Sequence, residues 1–347
     1  MMNETVINEK EKPYPPEKTT ELDVTSAALP KAAVLSKRKR NKGGKTENLM
    51  GYLFISPWIV GLLFLMAGPL LFSLYVSFTD YNITSQMNFV GLDNYKRMFT
   101  EDNLFWTSLW NTLYFVIFSV PLTTAGAVFV ALLLNQKIPG MKIFRTIYYL
   151  PAVLSGVAVY FLWMHLLSPS TGLVNTILDW FGINGPAWLF DPEWTKPSLI
   201  LMKLWSVGGG MLLYLARLQG VSPALYEAAD LDGANAFQKF FHITLPMLTP
   251  IIFFDIITST IFSFQIFQEA YVMIQGGDLS SSGGLEGGPA NSLLFYNLHM
   301  WNNAFKIFNM GYASAMAWFL FFIIMILTVF HLKFSNKWVH YDGGDKK

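Results

Sequence analysis

The sequence predicts an all-α integral membrane protein with six transmembrane helices and with both termini in the cytosol. Hydrophobic residues make up 53% of the 347-residue chain and charged residues only 14%, whereas soluble proteins carry about a quarter charged residues. Six apolar stretches are long enough to cross a bilayer, which takes about 20 residues of helix. When these stretches are threaded through the membrane, most of the 24 lysine and arginine residues fall on one side, which the positive-inside rule assigns to the cytosol.

The six predicted spans differ in how regular they are. They are residues 51–78, 108–134, 144–167, 197–215, 250–274 and 307–332. The fourth is the least regular, because it contains Lys203 and the triplet Gly208-Gly209-Gly210. The triplet predicts a bend in this span or the close approach of another helix.

Composition also limits the chemistry that the chain can perform. It has no cysteine, so disulfides, thiol catalysis and cysteine-based zinc sites are excluded. Five scattered histidines do not form a metal-binding pattern, and a net charge of +1 gives no basis for binding nucleic acid. We predict no metal site and no catalytic residue, because acidic, basic and metal-binding groups do not converge at one depth of the membrane.

The segment between the fourth and fifth spans is predicted to form two short helices on the cytosolic side. Ser222 and Pro223 form a helix start, since serine caps free amide groups and proline suits the first helical position. Gly233 predicts the end of the first helix in a left-handed conformation. The second helix is predicted to stop at Pro246, and Pro250 is predicted to start the fifth span. On physical grounds alone, the segment fits a connector at the membrane interface as well as a docking surface.

The same segment contains a long spaced pattern that resembles the "EAA" loop of binding-protein-dependent ABC importer permeases. Every position and every spacing of that pattern is present. The matching residues are Glu227, Ala228, Ala229, Gly233, Ile243, Leu245 and Pro246. In that family the loop forms coupling helices that dock in a cleft of an ATP-binding subunit. The resemblance therefore implies an ATPase-coupling role for these residues and for Asp232 beside Gly233.

Other segments extend the resemblance to the carbohydrate permeases of that family, the maltose and glycerol-phosphate type, over roughly residues 53–334. These segments are residues 89–95, 111–113, 144–146, 150–151 and 309–315. The resemblance implies the type I ABC importer permease architecture, a second homologous permease subunit and an extracytoplasmic solute-binding protein. It also implies that this chain binds no cofactor and that ATP is used by the partner ATPase subunit. The outer loop at residues 276–289 departs from the family, because it is richer in glycine and serine.

With this resemblance, the chain divides into four predicted regions. Residues 1–49 form a disordered polar and basic tail in the cytosol, since they contain few large apolar residues. Residues 50–106 hold the first transmembrane helix and an outer amphipathic segment. Residues 107–331 form the type-1 permease domain with the coupling loop at residues 221–247. Residues 332–347 form a cytosolic C-terminal tail.

A polar stripe runs along the predicted fifth span. Asp255, Ser259 and Ser263 are four residues apart and share one helical face, and Gln265 lies further along. Polar groups inside a span must face protein or water rather than lipid. We predict that this stripe lines the translocation path, with hydrogen bonding between helices as the alternative. Trp205 is a further path candidate through stacking on a sugar, although tryptophans at span ends commonly form interfacial belts.

Three functions are compatible with these patterns. The favoured one is a permease subunit of an ATP-driven importer that moves a carbohydrate, an oligosaccharide or a sugar derivative, across the cytoplasmic membrane of a bacterium. The expected partners are the ATPase, a second permease, the solute-binding protein and membrane lipid. The alternative is an ion-coupled secondary transporter without an ATPase, which would show charged groups near the midplane or paired broken helices. The third is an integral membrane enzyme, which would need clustered acid, base or metal-binding groups.

Overall fold

A computed structural model shows how the chain folds and describes residues 45–84, 86–276 and 287–340. Most of the predicted N-terminal tail, the outer loop at residues 277–286 and the C-terminal residues 341–347 lie outside the described residues. Within the described ranges, regular structure is helical, apart from two isolated bridges that pair Thr79 with Phe89 and Asn82 with Asn309. The prediction of an all-α chain is therefore confirmed.

The α-helices are numbered along the chain. They are α1 (Lys45–Gly61), α2 (Gly68–Val76), α3 (Asp93–Thr100), α4 (Asn103–Leu134), α5 (Met141–Val153), α6 (Gly156–Leu166), α7 (Leu173–Trp180), α8 (Pro192–Trp205), α9 (Gly208–Gln219), α10 (Pro223–Leu231), α11 (Ala236–Lys239), α12 (Leu245–Phe264), α13 (Gln268–Gly276), α14 (Tyr296–Trp301) and α15 (Met310–Ser335). Wider π-helical turns occupy Leu62–Ala67, Phe240–Thr244 and Asn302–Lys306, and a 3-10 turn occupies Pro289–Asn291.

The chain divides into two compact units. The first, Met1–Leu63, contains α1 among its described residues. The second, Phe64–Lys347, contains the helices from α2 to α15.

The described helices supply six candidate membrane spans. Four helical runs are long and apolar enough to cross a membrane, namely Leu49–Val76, Asn103–Leu134, Ala236–Gly276 and Met310–Ser335. Two helix pairs pass the same test together but are bent, α5 with α6 by 99° and α8 with α9 by 45°. With each bent pair counted as one span, the total agrees with the six predicted transmembrane helices.

Buried apolar side chains form three clusters, each named here after one member. The Phe115 cluster is built from α4, α6, α8 and α13 and from the segment that leads into α14. The Tyr214 cluster joins the C-terminal half of α4 to α9 and to the start of α12. The Phe105 cluster joins α3 and α4 to α14, to α15 and to the end of α12. Because α4 contributes to all three clusters, it connects them.

The third span is not the uninterrupted helix that the sequence predicts. α5 ends at Val153 and α6 begins at Gly156. Leu154 and Ser155, which lie between them, have non-helical backbone angles. Pro151 lies just before the break, and a proline removes one helical hydrogen bond and crowds the carbonyl of the preceding turn. The bend of 99° follows from this interruption.

The fourth span is bent at the glycine triplet, as predicted. α8 ends at Trp205 and α9 begins at Gly208, the first glycine of the triplet. Asp191 caps the start of α8, because its side chain accepts a hydrogen bond from the amide of Glu193 at 3.0 Å. The span therefore begins at Pro192, before the predicted boundary.

The fifth span follows α11 without a stop, so the predicted helix end at Pro246 and helix start at Pro250 are both wrong. α11 passes through a π turn directly into α12, which contains both prolines. In the π turn the amide of Leu245 bonds the carbonyl of Phe240, five residues back, and the wider turn makes room for the next residue, a proline. The carbonyl of Pro246, which Pro250 cannot bond, accepts instead from the Thr249 hydroxyl at 2.7 Å.

The C-terminal segment packs beside the start of α12. The amide of His340 donates a hydrogen bond to the Thr249 hydroxyl at 2.9 Å. Trp338 packs edge-on against Phe253, with 6.2 Å between the ring centres. The end of the described chain and the start of α12 therefore lie at the same end of the helix bundle.

Asp102 holds together the ends of three helices, α4, α14 and α15. Its Oδ1 caps α4 by accepting from the amides of Leu104 and Phe105 at 2.9 and 3.1 Å. Its Oδ2 accepts from the Tyr312 hydroxyl at 2.6 Å and lies 2.7 Å from Nε2 of His299. Burial would raise the pKa of this carboxyl, but the hydrogen bonds from His299 and Tyr312 outweigh burial and lower the pKa to about 2.

Replacing Asp102 by asparagine is expected to lower the free energy of unfolding by about 1–2 kcal/mol, because charge-assisted hydrogen bonds become neutral ones. The stabilisation due to a carboxyl with a lowered pKa is fully present above its ordinary pKa of 3.8 and is lost as the pH falls toward about 2. Thermal unfolding in detergent should therefore show a difference between the two proteins that is constant near neutral pH and shrinks below about pH 4. The same substitution at the exposed Asp179 is the control. A difference that stays constant down to low pH would contradict the prediction.

Candidate functional site

The predicted pair of short helices is present as α10 and α11, and Gly233 ends the first of them. Gly233 has a φ of 76°, a left-handed conformation that glycine adopts without strain. Its amide donates to the carbonyl of Asp230 at 3.1 Å, and the amide of Ala234 donates to the carbonyl of Ala229 at 2.9 Å. These two bonds form a Schellman motif, which closes a helix end around a left-handed residue. Gly233 thus fixes where α10 stops and where the chain turns toward α11.

The two helices begin with different stabilising features. α10 begins at Pro223, as predicted, but the side chain of Ser222 makes no capping hydrogen bond. The expected serine cap is therefore wrong, and the fixed φ of Pro223 favours the start instead. α11 begins with a capping box, in which Asn235 and Gln238 each accept a hydrogen bond from the other's amide at 2.9 Å.

Side chains hold α10 to the elements that follow it. Lys239 at the end of α11 forms an ion pair with Asp230 of α10. The hydroxyls of Tyr226 in α10 and Thr244 in the π turn lie 3.0 Å apart, at hydrogen-bonding distance. α10, α11 and the π turn are therefore linked to one another by side chains as well as by the backbone.

The eight residues predicted to couple to an ATPase all belong to this linked segment. Glu227, Ala228, Asp232 and Gly233 are exposed, and Ala229, Ile243, Leu245 and Pro246 are partly buried. The predicted residues that line an open cavity of about 400 Å³ in this segment are Ala229, Asp232, Gly233 and Ile243. In the same two helices, Leu231 and Phe237 leave 90% and 72% of their surfaces exposed. A segment that has both an open cavity and exposed apolar side chains suits the binding of another protein.

Asp255 in α12 is the centre of a hydrogen-bond cluster that joins three helices. Its Oδ2 accepts from the Tyr214 hydroxyl of α9 at 2.7 Å and from the Thr124 hydroxyl of α4 at 2.8 Å. Its Oδ1 accepts from the Ser259 hydroxyl, one turn along α12, at 3.2 Å. Tyr214 is fully buried, so the cluster lies inside the helix bundle. The bonds from Tyr214 and Thr124 are those that the alternative interpretation, hydrogen bonding between helices, predicts for Asp255, whereas Ser259 bonds only within α12.

Ser263 contacts a charged residue of a neighbouring span. It is buried and accepts a hydrogen bond at 2.9 Å from Nζ of Lys203 in α8. The Lys203 ammonium also lies 5.1 Å from the centre of the Phe115 ring, and Lys203 and Glu269 line one small cavity of about 210 Å³. A lysine inside a span is costly unless it has polar or charged neighbours of this kind. Ser263 therefore helps to accommodate Lys203.

Gln265 and Trp205 are more accessible than the other path candidates. Gln265 lies in the break between α12 and α13 and lines an open cavity of about 730 Å³ together with Asn297 and Trp301. Trp205 is 39% exposed and packs edge-on against Trp163, with 5.9 Å between the ring centres. Contact of either residue with a transported molecule stays a prediction.

Most hydrogen-bond partners in these clusters were not predicted from the sequence. Thr124 and Tyr214 lie 131 and 41 residues from Asp255 along the chain, and no local pattern marks them as its partners. Lys203 did give a signal, because a charge inside an apolar span needs a partner. Nothing in the sequence identified Ser263 as that partner.

No family model matches the chain. Comparison with known proteins nevertheless finds relatives that are similar in sequence over most of its length. The probable ABC transporter permease protein YesP of Bacillus subtilis (strain 168) is 40% identical over 310 residues, which cover 89% of this chain and 97% of YesP. The lactose transport system permease protein LacF of Rhizobium radiobacter is 35% identical, over 80% of this chain and 91% of LacF. The arabinooligosaccharides transport system permease protein AraP of Halalkalibacterium halodurans is 31% identical, over 83% and 88%.

Solved structures are similar in fold. A bacterial ABC transporter involved in the import of the acidic polysaccharide alginate contains a chain with a TM-score of 0.68 and 24% identity, covering 84% of this chain and 96% of that one. A bacterial alginate ABC transporter in complex with alginate pentasaccharide-bound periplasmic protein gives the same TM-score at 25% identity, covering 84% and 95%. Given this fold, and 40% identity to a relative that it spans almost completely, the chain is an integral membrane protein that belongs to the permease family of ABC transporters.

Proposed function

We propose that this chain is one permease subunit of an ATP-driven importer that moves a carbohydrate across the cytoplasmic membrane of a bacterium. An oligosaccharide or a sugar derivative is the proposed substrate, because the relatives LacF and AraP are named for lactose and arabinooligosaccharides. A separate ATPase subunit hydrolyses ATP, and this chain converts the resulting movement into transport.

This proposal rests chiefly on the structure of the α10–α11 segment. Its helix end is fixed by Gly233, its second helix is capped, and the two helices are joined by the ion pair between Asp230 and Lys239. A mere connector between two spans would not need this degree of internal fixation. An ATPase that binds the cavity and the exposed Leu231 and Phe237 would act on a segment whose ends continue into α9 and α12.

Charge and connectivity support a cytosolic position for this segment. The C-terminal segment packs beside the start of α12 through His340 and Thr249, so the end of the described chain and the α10–α11 segment share one end of the bundle. Most lysine and arginine residues of the chain fall on this side in a six-span topology. An even number of spans then brings the N-terminus to the same side.

Two further partners complete the proposed importer. A second permease subunit supplies the other half of the path and covers apolar surface that this chain leaves open, as on α5, which has no buried residue. An extracytoplasmic solute-binding protein delivers the carbohydrate; this part of the proposal is supported by the solved alginate transporter, which is in complex with an alginate pentasaccharide-bound periplasmic protein. Membrane lipid covers the remaining apolar helix faces.

Purification and reconstitution test the proposed function. The chain purified from its native membranes is expected to bring an ATPase with it, and liposomes containing that complex should accumulate radiolabelled oligosaccharide only when ATP and the solute-binding protein are supplied. Robust uptake by this chain alone, driven by an ion gradient, would establish the alternative of a secondary transporter.

Alanine at both Ser263 and Gln265 is expected to reduce uptake by about tenfold or more, because Gln265 would lose its proposed contact with the substrate and Lys203 would lose the hydrogen bond that it donates to Ser263, at about 1–3 kcal/mol for a buried group. Uptake should be measured at matched amounts of the protein in the membrane. Thr258→Ala is the control, because the Thr258 hydroxyl bonds the carbonyl of Phe254 within its own helix and Thr258 is not a path candidate. Normal uptake by the double variant would remove Ser263 and Gln265 from the path.

A further inference from the structure

The breaks in the third, fourth and fifth spans separate helices that belong to different buried clusters. α6, α8 and α13 contribute to the Phe115 cluster. α9 and the start of α12 contribute to the Tyr214 cluster, against which Met141 at the start of α5 also packs. Each of these three spans is therefore made of two segments that are packed into different parts of the molecule, with its break between them.

At the break in the fourth span, the backbone of α9 touches the backbone of α5. A Cβ atom at Gly208 would lie 2.0 Å from the carbonyl oxygen of Tyr148 and 3.0 Å from Cα of Tyr149. Neither neighbouring atom belongs to a side chain that could rotate away. Only glycine allows this approach, because it alone has no Cβ atom.

The other two glycines of the triplet face different neighbours at ordinary distances. A Cβ atom at Gly209 would lie 3.7 Å from Cβ of Ala152 in α5, and one at Gly210 would lie 3.4 Å from Cβ of Ala127 in α4. Alanine therefore fits at both positions, with less room at position 210. The requirement for glycine is strongest at Gly208.

α5 is held in the molecule mainly through α9, together with the hydrogen bonds that Arg145 donates to the carbonyl of Leu134 in α4. It buries none of its own residues, and it packs chiefly against α9. α9 in turn leads through residues 220–222 into α10. Arg217 in the last turn of α9 donates from Nε to the carbonyl of Met247 in α12 at 3.0 Å, so α9 is also fastened at its other end.

We propose that Gly208 is a positioning residue for transport, whose backbone contact with Tyr148 makes α5 and α9 move as one body. A displacement of α10 by the ATPase is then passed along α9 and across this contact to α5, which bends the third span at its break. This inference rests on the proposed function, since it requires an ATPase that acts on α10. In this proposal, a contact between two backbones, rather than any pair of side chains, passes the movement from α9 to α5.

Gly208→Ala and Gly209→Ala form a matched pair that tests the contact. Gly208→Ala should reduce ATP-dependent uptake by at least about tenfold while the ATPase still binds and hydrolyses ATP, because packed contacts have discrete arrangements rather than a continuous range. Gly209→Ala should retain uptake within about twofold, since its methyl group meets only an ordinary contact. A folding defect alone would lower uptake and bound ATPase together. Equal uptake by the two variants would overturn the proposal.

A disulfide provides a second test that does not depend on tolerance of Gly208→Ala. The chain has no cysteine, so Ala152→Cys with Gly209→Cys introduces one defined pair, whose Cβ separation of 3.7 Å suits a disulfide. If α5 and α9 move as one body, the oxidised protein should transport within about twofold of its reduced form. Loss of uptake on oxidation, restored by reductant, would show that the two helices separate during transport and would overturn the proposal.

The unmodified importer distinguishes this inference from the proposed function. Absence of ATP-dependent uptake by the unmodified complex would contradict the proposed function itself. Normal uptake by the unmodified complex, together with normal uptake by Gly208→Ala, would leave that function intact and refute only the role of Gly208.

Discussion

Replacing Gly233 by proline is expected to weaken binding of the ATPase at least about 30-fold, the size of a substitution at an interface hot spot, and to reduce uptake to background. Proline fixes φ near −65°, whereas Gly233 has a φ of 76°. Proline also removes the amide that bonds the carbonyl of Asp230. The end of α10 would therefore lose its Schellman motif, and the cavity that Gly233 lines would change shape. Co-purification of the ATPase with the variant is the measurement.

Gly182→Pro is the matched control for this experiment. Gly182 also has a left-handed backbone, with a φ of 73°, and no atom lies within 4 Å of the position of its missing Cβ. Proline is equally incompatible with its conformation, but Gly182 follows α7, away from the α10–α11 segment in sequence. The control should keep its ATPase. If Gly233→Pro co-purified with the ATPase at the level of the unmodified chain, docking at α10–α11 would be wrong.

Asp255→Ala is expected to lower the free energy of unfolding by about 2–4 kcal/mol, since the hydroxyls of Tyr214 and Thr124 would each lose their acceptor at about 1–3 kcal/mol per buried group. Both hydroxyls belong to buried residues, and a buried hydroxyl without a partner is costly. Thermal unfolding of the detergent-purified protein measures the change. Asp255→Asn, which keeps one acceptor oxygen, should fall between the alanine variant and the unmodified chain.

A double-mutant cycle with Tyr214→Phe separates the two interpretations of Asp255. If Asp255 chiefly joins helices, Tyr214→Phe should destabilise the unmodified chain but cost little more in the Asp255→Ala background, because the two residues share one interaction. Additive losses would contradict that role. If Asp255→Asn folds normally and yet fails to transport, Asp255 acts in the path as well as in the contact between helices.

The sequence was sufficient for the features that depend on local composition and on specific end signals. Apolar length identified the six spans, and Gly233 identified the end of α10, because few residues other than glycine take a left-handed conformation. The start of α10 at Pro223 was also predicted from neighbouring residues alone. These features require no knowledge of what lies on the far side of a helix.

Predictions from local signals were wrong where a neighbouring residue or a wider turn let a helix continue past them. Pro246 and Pro250 looked like a stop and a start, but the π turn and the Thr249 hydroxyl let the helix continue. The break after Val153 was not predicted, although Pro151 lies just before it, because it falls within the apolar run that predicts the third span. The partners of Asp255 and Ser263 come from other spans, and the distances that join them are set by packing rather than by spacing in the sequence.

The two bent spans have a consequence for how the protein is made. α5, α6, α8 and α9 contain 13, 11, 14 and 12 residues, which correspond to about 16–21 Å of helix. None of them alone crosses a hydrocarbon core of about 30 Å, and the non-helical residues between α5 and α6 have backbone groups that lipid cannot satisfy. In the folded chain, neighbouring helices have to cover these breaks, and α4 packs against α5, α8 and α9. We expect stable insertion of the two bent spans to depend on α4.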